Sequence, residues 1–278
     1  MGLSLDAILQ SRRTRQPVVM GVLNVTPDSF SDGGQFCSPA DALAQAKALV
    51  EAGCDILDLG AESTRPGSQR VDAETQIQRL RDILPAVCEL GVVISIDTTL
   101  APVASFALDA GAHILNDVSA GRDDPAMLPL AASRNAPICL MHMQGQPGTM
   151  QAAPHYDDVT AEVAAFFTER LAAAHGAGIP REHCILDPGI GFGKTLEHNL
   201  ALLARVNDWA PRDTVLLIGP SRKRFIDDIA PAPAQQRVGG TLAACLATYR
   251  QGATIFRVHD PQPIRQGLEV QRALETAK

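Results

Sequence analysis

Two carboxylates, an amide and several cations stand at or just beyond the ends of short apolar runs, and together they fit one kind of ligand. Asp97 ends the run VVISID, Asn116 lies near the end of HILNDV, and Asp187 ends HCILD. A carboxylate accepts two N–H bonds at once, an amide both donates and accepts, and bonds to charged groups are the stronger kind. The three side chains suit a flat heterocycle edged with N–H donors. Asn24, Arg65, Arg257 and His259 make a second group: Asn24 closes PVVMGVLN, Arg65 follows DILDLG, and Arg257 and His259 end TIFRVH. Arginine and histidine near an exposed rim suit phosphate oxygens. Asn24 offers a hard oxygen of the kind that binds Mg2+, an ion that keeps several waters and takes other ligands from substrate phosphates. Lys223 follows TVLLIG and can reach either group. The pattern predicts a polar heterocycle bound deep, with a phosphate-bearing tail toward the rim.

Such a site needs an architecture that brings residue 24 beside residue 257. Eight apolar runs recur, at 17–24, 55–60, 92–97, 113–118, 137–143, 183–187, 214–219 and 254–259. Each is short and nearly continuous, the signature of a strand buried on both faces. Helical stretches such as 39–52, 72–90, 101–110, 158–176 and 235–251 lie between them. In the first of these, Ala42, Leu43, Ala46, Leu49 and Val50 follow the spacing of one helix face, with Ser38 as N-cap and Pro39 in the first turn. Gly53, Gly91, Gly111 and Gly252 fall just past such stretches, where a helix end favours a left-handed residue. Repeated strand, helix and glycine-marked turn specify parallel βα units. Eight units favour an α/β fold of the closed (β/α)8 TIM-barrel type over a doubly wound open sheet. No linker or low-complexity tract divides the 278 residues, so a single domain over 1–278 is expected, with 1–16 as an N-terminal extension and APAPA (230–234) as a loop within the seventh unit. In a parallel barrel all strand C-termini meet at one mouth, where such folds hold their active sites. The remaining polar strand-end residues, among them Asp117, His142 and Gln144, are expected there too.

Composition narrows the function classes. Hydrophobic residues reach 46% but aromatics only 4%, so the core is built from aliphatic side chains, as helices on buried strands require. A net charge of -7 argues against nucleic-acid binding, which needs a basic surface, yet permits an anionic ligand in a locally basic cleft. The six cysteines form no C-x-x-C pair and read as core residues, not a disulfide framework or zinc site. Arg12, Arg13 and Arg15 occupy the place where a signal peptide needs its apolar stretch, and no run approaches the ~20 apolar residues of a membrane span. A cytoplasmic protein with no membrane or nucleic-acid partner is expected.

Several motifs come close without matching. PGIGFGKT (188–195) lacks the first glycine of a P-loop, where Pro188 stands, and the third glycine of a dinucleotide fingerprint, where Lys194 stands. It reads as a turn whose backbone carries little bulk, a wall against which a ligand lies close. His142 in MHM has no companion histidine at zinc-enzyme spacing, and neither Ser63 nor Ser221 sits in a G-x-S-x-G elbow. Met141 and Met143 suit the core, or the face of a flat ligand.

Eight segments carry a family resemblance. MGVLNVTPDSFSDGG (20–34), DLGAESTRPG (58–67), ISIDT (94–98), HILND (113–117), MHMQ (141–144), LDPGIGFGK (186–194), IGPSRK (218–223) and RVHD (257–260) occur in this order, and from Met20 onward the chain resembles the bacterial dihydropteroate synthases. The resemblance implies two small-molecule substrates, 6-hydroxymethyl-7,8-dihydropterin diphosphate and p-aminobenzoate, with Mg2+ as cofactor and a homodimer as the assembly. It implies a pterin site of Asp97, Asn116, Asp187 and Lys223, with Met141 against the ring. Asn24 through Mg2+, Arg65, Arg257 and His259 would meet the diphosphate. The p-aminobenzoate would lie near Thr64, Pro66, Phe192, Ser221 and Lys223, beneath two loops at 25–37 and 62–71. Asp97 and Lys223 are the implied catalytic groups, with Phe30 and Asp32 closing over the reacting centre. Ala61 and Pro220 depart from the commonest pattern of the family, at the second loop and before Ser221, without removing a polar group. A pterin-binding methyltransferase module shares the barrel but needs neither the S-T-R-P-G loop nor Arg257 with His259, and a non-catalytic pterin-binding paralogue should have lost some mouth residues, none of which is missing here.

Overall fold

The computed structural model describes residues 3–26, 38–63, 68, 70–145 and 148–277. Eight parallel strands close a barrel in sequence order. They are β1 (Val18–Asn24), β2 (Ile56–Gly60), β3 (Val93–Asp97), β4 (Ile114–Asp117), β5 (Ile138–Met141), β6 (Cys184–Asp187), β7 (Val215–Ile218) and β8 (Ile255–Val258). Each falls inside one of the apolar runs, and helices separate them all.

The barrel divides every strand into two sets of side chains. Val19, Leu23, Leu57, Leu59, Ile94 and Ile96 belong to the large core between strands and helices. Val18, Met20, Ile56, Val93, Cys139 and Ile185 fill the barrel interior. Because both sets are apolar, the period of two is invisible in the sequence. The register then sets the level of the site. Asn24 pairs with Gly60, Gly60 with Asp97, and Asp97 with Asn116, so one row crosses the mouth from β1 to β4.

Local signals behave as their chemistry requires. The Ser38 side chain accepts the Asp41 N–H at 3.1 Å and caps the helix Pro39–Glu51, whose Ala42, Ala46 and Leu49 are buried. Such a cap contributes about 1 kcal/mol. Gly53, Gly91, Gly111 and Gly252 all adopt positive φ. The stretch expected as one helix over 72–90 is two, Ala73–Arg81 and Leu84–Cys88. Pro85 explains the break: it lacks an N–H, and its ring collides with the carbonyl four residues earlier in a continuing helix.

The N-terminal segment has a structural role that its sequence did not announce. Short helices at Leu5–Leu9 and Ser11–Thr14 close the barrel floor. Ile8 is wholly buried among the inward residues of the strands, with Leu3, Leu5 and Leu9 packed around it. Ser11 Oγ and Thr254 Oγ1 hydrogen-bond at 2.8 Å, and Arg12 Nη1 donates to the carbonyls of Pro211 and Thr214, each at 2.6 Å. No helix among the described residues is long and apolar enough to cross a membrane.

Candidate active site

Arg257 leaves β8 inside the barrel and is held by two carboxylates. Its Nε donates to Asp58 Oδ2 at 2.6 Å, and its Nη2 donates to Asp97 Oδ2 at 3.0 Å. Asn116 Nδ2 donates to the same Asp58 oxygen at 3.0 Å. Asp58 is fully buried in the middle of β2, so a single carboxylate orients both the amide and the guanidinium. Sequence reading missed it. Asp58 lies between Leu57 and Leu59, which face the helices, and nothing in DILDLG marks it as the inward residue. Its Oδ1 and the Oγ of Ser95, its register partner on β3, have no hydrogen-bond partner among the described residues.

The cavity above this network is lined by the groups singled out for a heterocycle: Asp97, Asn116, Asp187, Lys223 and Met141. Arg257, His259, Ser221 and Phe192 line the same cavity. Asn24 stands beside it. A Cβ built on Gly60 would meet Asn24 Oδ1 at 3.5 Å and Asp97 Cβ at 3.6 Å, so the amide oxygen and the base of the Asp97 side chain flank the bare glycine. Val118, Met141, Met143 and Met150 form an apolar patch against Phe192, a surface suited to the face of a flat ring. Nine of the predicted positions therefore gather at one cavity, with Asn24 adjoining it. Phe30, Asp32, Thr64, Arg65 and Pro66, with most of the two loops that carry them, lie outside the described residues.

Burial moves the ionisable groups toward neutrality. It raises Asp97 to about 7, opposed by the charge of Arg257 and reinforced by Asp58. It raises Asp187 to about 6 against the pull of a hydrogen bond from the Gly189 N–H, 2.8 Å from Oδ1. Burial, then the charge of Arg257, lowers Lys223 to about 8. The Lys223 ammonium lies 4.1 Å from the centroid of the Phe192 ring. Groups so poised exchange hydrogen bonds with an uncharged ring more readily than fully solvated ions do.

The segment after β6 is a wall and not a phosphate cradle. Three of its amides already have protein acceptors: Gly189 N–H binds Asp187, Gly191 N–H binds Asn199 Oδ1 at 2.7 Å, and Phe192 N–H binds the Gly189 carbonyl at 3.0 Å. A Cβ on Gly189 would stand 2.0 Å from the His142 carbonyl oxygen, and one on Gly193 would stand 2.3 Å from that of Gln144. Both glycines have positive φ, so backbone meets backbone here in a way that any side chain prevents. Lys194 fixes the contact from within. It is buried, and its ammonium donates to the Phe192 carbonyl at 3.0 Å, to the His142 carbonyl at 3.3 Å and to His142 Nδ1 at 3.0 Å. Burial and the neighbouring lysine push His142 down to about 2, which leaves its ring an uncharged acceptor.

Three polar strand-end residues do not join the mouth. The His142 ring packs edge-on against Phe166 of the helix Val159–Gly176, with centroids 4.9 Å apart. Asp117 turns outward and accepts from the Ser119 N–H and hydroxyl, each at 2.7 Å, and from the Gly121 N–H at 2.6 Å. Gln144 pairs with the backbone of His155. His142 and Asp117 each follow an inward residue, Met141 or Asn116, so the alternation of the strand sends them to the other face. Glu62 ties the base of the second loop, accepting from the Val71 N–H at 3.2 Å and from Gln76 Nε2 at 2.9 Å.

Comparison with known proteins places this geometry. Residues 20–259 match the family described as pterin binding enzyme. The chain is 45% identical over 263 residues to the dihydropteroate synthase of Escherichia coli K12, covering 94% of this chain and 93% of that one. The Xanthomonas albilineans dihydropteroate synthase solved with 4-aminobenzoic acid superposes with a TM-score of 0.87 at 41% identity, covering 94% of this chain and 93% of that one. The same enzyme solved with 7,8-dihydropteroate gives a TM-score of 0.83 at 38% identity, with 94% of each chain covered. The chain belongs to the pterin-binding enzymes and, within them, to the dihydropteroate synthases, which are transferases.

Proposed function

We propose that this chain condenses 6-hydroxymethyl-7,8-dihydropterin diphosphate with p-aminobenzoate, giving 7,8-dihydropteroate and diphosphate. The observation that carries the reading is one cavity in which Asp97, Asn116, Asp187 and Lys223 converge beside Arg257 and His259. Two carboxylates accept from the N–H edge of the pterin, the Asn116 amide donates or accepts, and Lys223 donates to a ring acceptor. Arg257 and His259 serve the diphosphate, and Phe192 offers an apolar face for the aminobenzoate ring. Ser221 borders the same space, as does Lys223, the N-cap residue of the helix Arg224–Ile229.

The reaction these groups support is a dissociative displacement. The bond between the pterin methylene carbon and the diphosphate oxygen breaks, and its electron pair leaves with the diphosphate. The methylene cation is shared with the pterin ring and stabilised by the negative charge of Asp97. The aniline nitrogen then forms the new C–N bond and releases a proton to solvent. Catalysis consists of positioning and fixed electrostatics, with no covalent enzyme intermediate.

Mg2+ fits the donor set. Among the described residues no group of three His, Cys, Asp or Glu side chains is gathered to cage a metal, while the Asn24 amide oxygen lies near the Asp97 side chain across Gly60. One hard protein oxygen suits an ion that draws its other ligands from water and the substrate diphosphate, where it would neutralise charge on the leaving group. A homodimer is the proposed assembly, supported by Val270 and Leu274, which are 56% and 63% exposed on the helix Pro261–Thr276. They lie four residues apart, on one face of that helix. A reducing cytoplasm suits the five free thiols among the described residues.

The test is diphosphate release by purified protein with Mg2+, with and without p-aminobenzoate. Release that requires both substrates is expected. Failure to release diphosphate under conditions where a known synthase works would overturn the proposal.

A further inference from the structure

Ser221 and His259 stand on neighbouring strand ends and share two hydrogen bonds. The His259 backbone N–H lies 3.2 Å from Ser221 Oγ, and His259 Nδ1 lies 3.0 Å from the same oxygen. The first bond has a fixed direction, because a backbone N–H only donates, so Oγ accepts it. The second is settled by counting protons. A hydroxyl has one proton to give. If Nδ1 carried a proton, Oγ would accept twice and its own proton would find no acceptor among the described residues, on a side chain only 5% exposed. Buried donors are rarely left so. The count favours the Ser221 hydroxyl as donor to Nδ1, which leaves the ring proton on Nε2.

The surrounding structure holds Ser221 in this role. Arg222 adopts a φ of 59°, a left-handed conformation uncommon for a side chain of its size. It is riveted there by a two-pronged bond to Asp260, Nε to Oδ2 at 3.0 Å and Nη2 to Oδ1 at 2.7 Å, while its N–H donates to Thr241 Oγ1 at 3.3 Å. The turn carrying Ser221 and the strand end carrying His259 are thus joined on both sides of the shared hydrogen bonds. Burial, followed by the charges of Arg222 and Arg257, lowers His259 to about 4, which agrees with an uncharged ring at neutral pH.

We propose that Ser221 is a positioning residue that fixes His259 as the Nε2–H tautomer, so that this histidine meets the departing diphosphate as an uncharged hydrogen-bond donor. The role given to Nε2–H rests on the reaction proposed above. The cationic grip on the diphosphate then falls to Arg257 and its charged neighbours. His259 adds direction without a further charge that would hold the product back.

The experiment uses 15N-histidine NMR of the whole protein, with the His259 signals assigned from their loss in His259→Gln, together with calorimetry of inorganic diphosphate binding. In the wild type, Nδ1 should appear as the unprotonated nitrogen and Nε2 as the protonated one. Ser221→Ala should give a mixture of tautomers and weaken diphosphate binding about tenfold, the size of effect seen for residues that orient a ligating histidine. In His259→Gln, where the amide nitrogen stands in for Nε2–H, adding Ser221→Ala should change diphosphate affinity less than about twofold, because no tautomer remains to be set. A wild-type ring protonated on Nδ1 overturns the proposal without recourse to any variant. So does an equal loss from Ser221→Ala in both backgrounds. A rise confined to the KM for p-aminobenzoate, with the tautomer unmoved, overturns it as well and gives Ser221 to the other substrate. Wild-type protein that shows the Nε2–H ring but binds no diphosphate overturns the function proposed above and the role given to Nε2–H, a failure the NMR separates from the others.

Discussion

Asp58 accepts the Arg257 Nε at 2.6 Å across 199 residues of chain, from a position with no solvent exposure. The same oxygen takes the Asn116 amide, so the pterin side and the diphosphate side of the cavity are referred to one buried carboxylate. Asp58→Asn leaves the guanidinium with a neutral partner. Arg257 keeps its bond to Asp97, so its charge is not stranded and the cost is that of a hydrogen bond to a charged group, about 1.5–3 kcal/mol. Urea denaturation should show a loss of that order, and kcat/KM for the pterin diphosphate should fall about 10–100-fold. The double variant Asp58→Asn/Arg257→Met should be less destabilised than the sum of the two single changes. Additive losses would show that the two side chains do not act as a pair.

Asp97 is expected to separate binding from turnover. Its charge has most to stabilise when the methylene cation forms, and less when the intact substrate is bound. Asp97→Asn keeps the shape and one acceptor oxygen. We expect kcat to fall about 10²–10³-fold while the Kd of the pterin diphosphate changes less than about tenfold, as loss of a transition-state electrostatic group implies. Calorimetry and single-turnover kinetics measure the two terms separately. Equal losses in both would assign Asp97 to ground-state binding alone.

The pH dependence follows from the same burial. On the acid side, Asp97 at about 7 and Asp187 at about 6 gain protons, which removes the negative charge near the cation and an acceptor for the pterin. On the alkaline side Lys223, at about 8, loses its proton and with it a donor. The free-enzyme profile of kcat/KM should therefore be bell-shaped, highest between about 7 and 8, falling below as carboxylates protonate and above as the lysine deprotonates. Lys223→Arg, which stays charged, should flatten the alkaline limb while leaving the acid limb in place. A profile level across this range would show that none of these groups titrates in the free enzyme.

The barrel was legible in the sequence because parallel strands buried on both faces appear as uninterrupted apolar runs, and because Asp97, Asp187 and Asn24 interrupt those runs at their ends. What such a run conceals is parity. Asp58 points inward and was passed over, while His142 and Asp117 point outward and were placed at the mouth. Only the closed barrel reveals which of two neighbouring residues faces the cavity. The floor was hidden for another reason: Leu5, Ile8 and Leu9 carry the spacing of a helical face, but in two turns too short to stand out from an extension rich in polar residues. Lys194 was concealed by its setting in a glycine-rich motif. Its partner His142 lies 52 residues earlier, and no local pattern links them.

Lys194 provides the last test, because it connects the barrel to the aminobenzoate side of the cavity without lining the cavity that holds the pterin groups. Its ammonium joins the His142 and Phe192 carbonyls, and the turn it holds presents the Phe192 ring beneath Lys223. Lys194→Met preserves length and apolar volume but removes three donated bonds, leaving two buried carbonyls and a ring nitrogen without a partner. Burial lowers Lys194 to about 7, so the donor is only partly charged and each bond contributes nearer the ~1 kcal/mol of a neutral pair than the ~1.5–3 kcal/mol of a charged one, while unpaired buried acceptors add a cost of their own. A loss of about 2–4 kcal/mol is expected in urea. The functional effect should be one-sided. Asp97 and Asn116 sit on β3 and β4 and do not hang from this turn, so pterin diphosphate affinity should shift less than about threefold, while the KM for p-aminobenzoate rises about tenfold as the ring wall loosens. Comparable losses for both substrates would mean that the turn supports the whole cavity through Asp187, whose Oδ1 is bound by the Gly189 N–H at 2.8 Å, and not the aminobenzoate side alone.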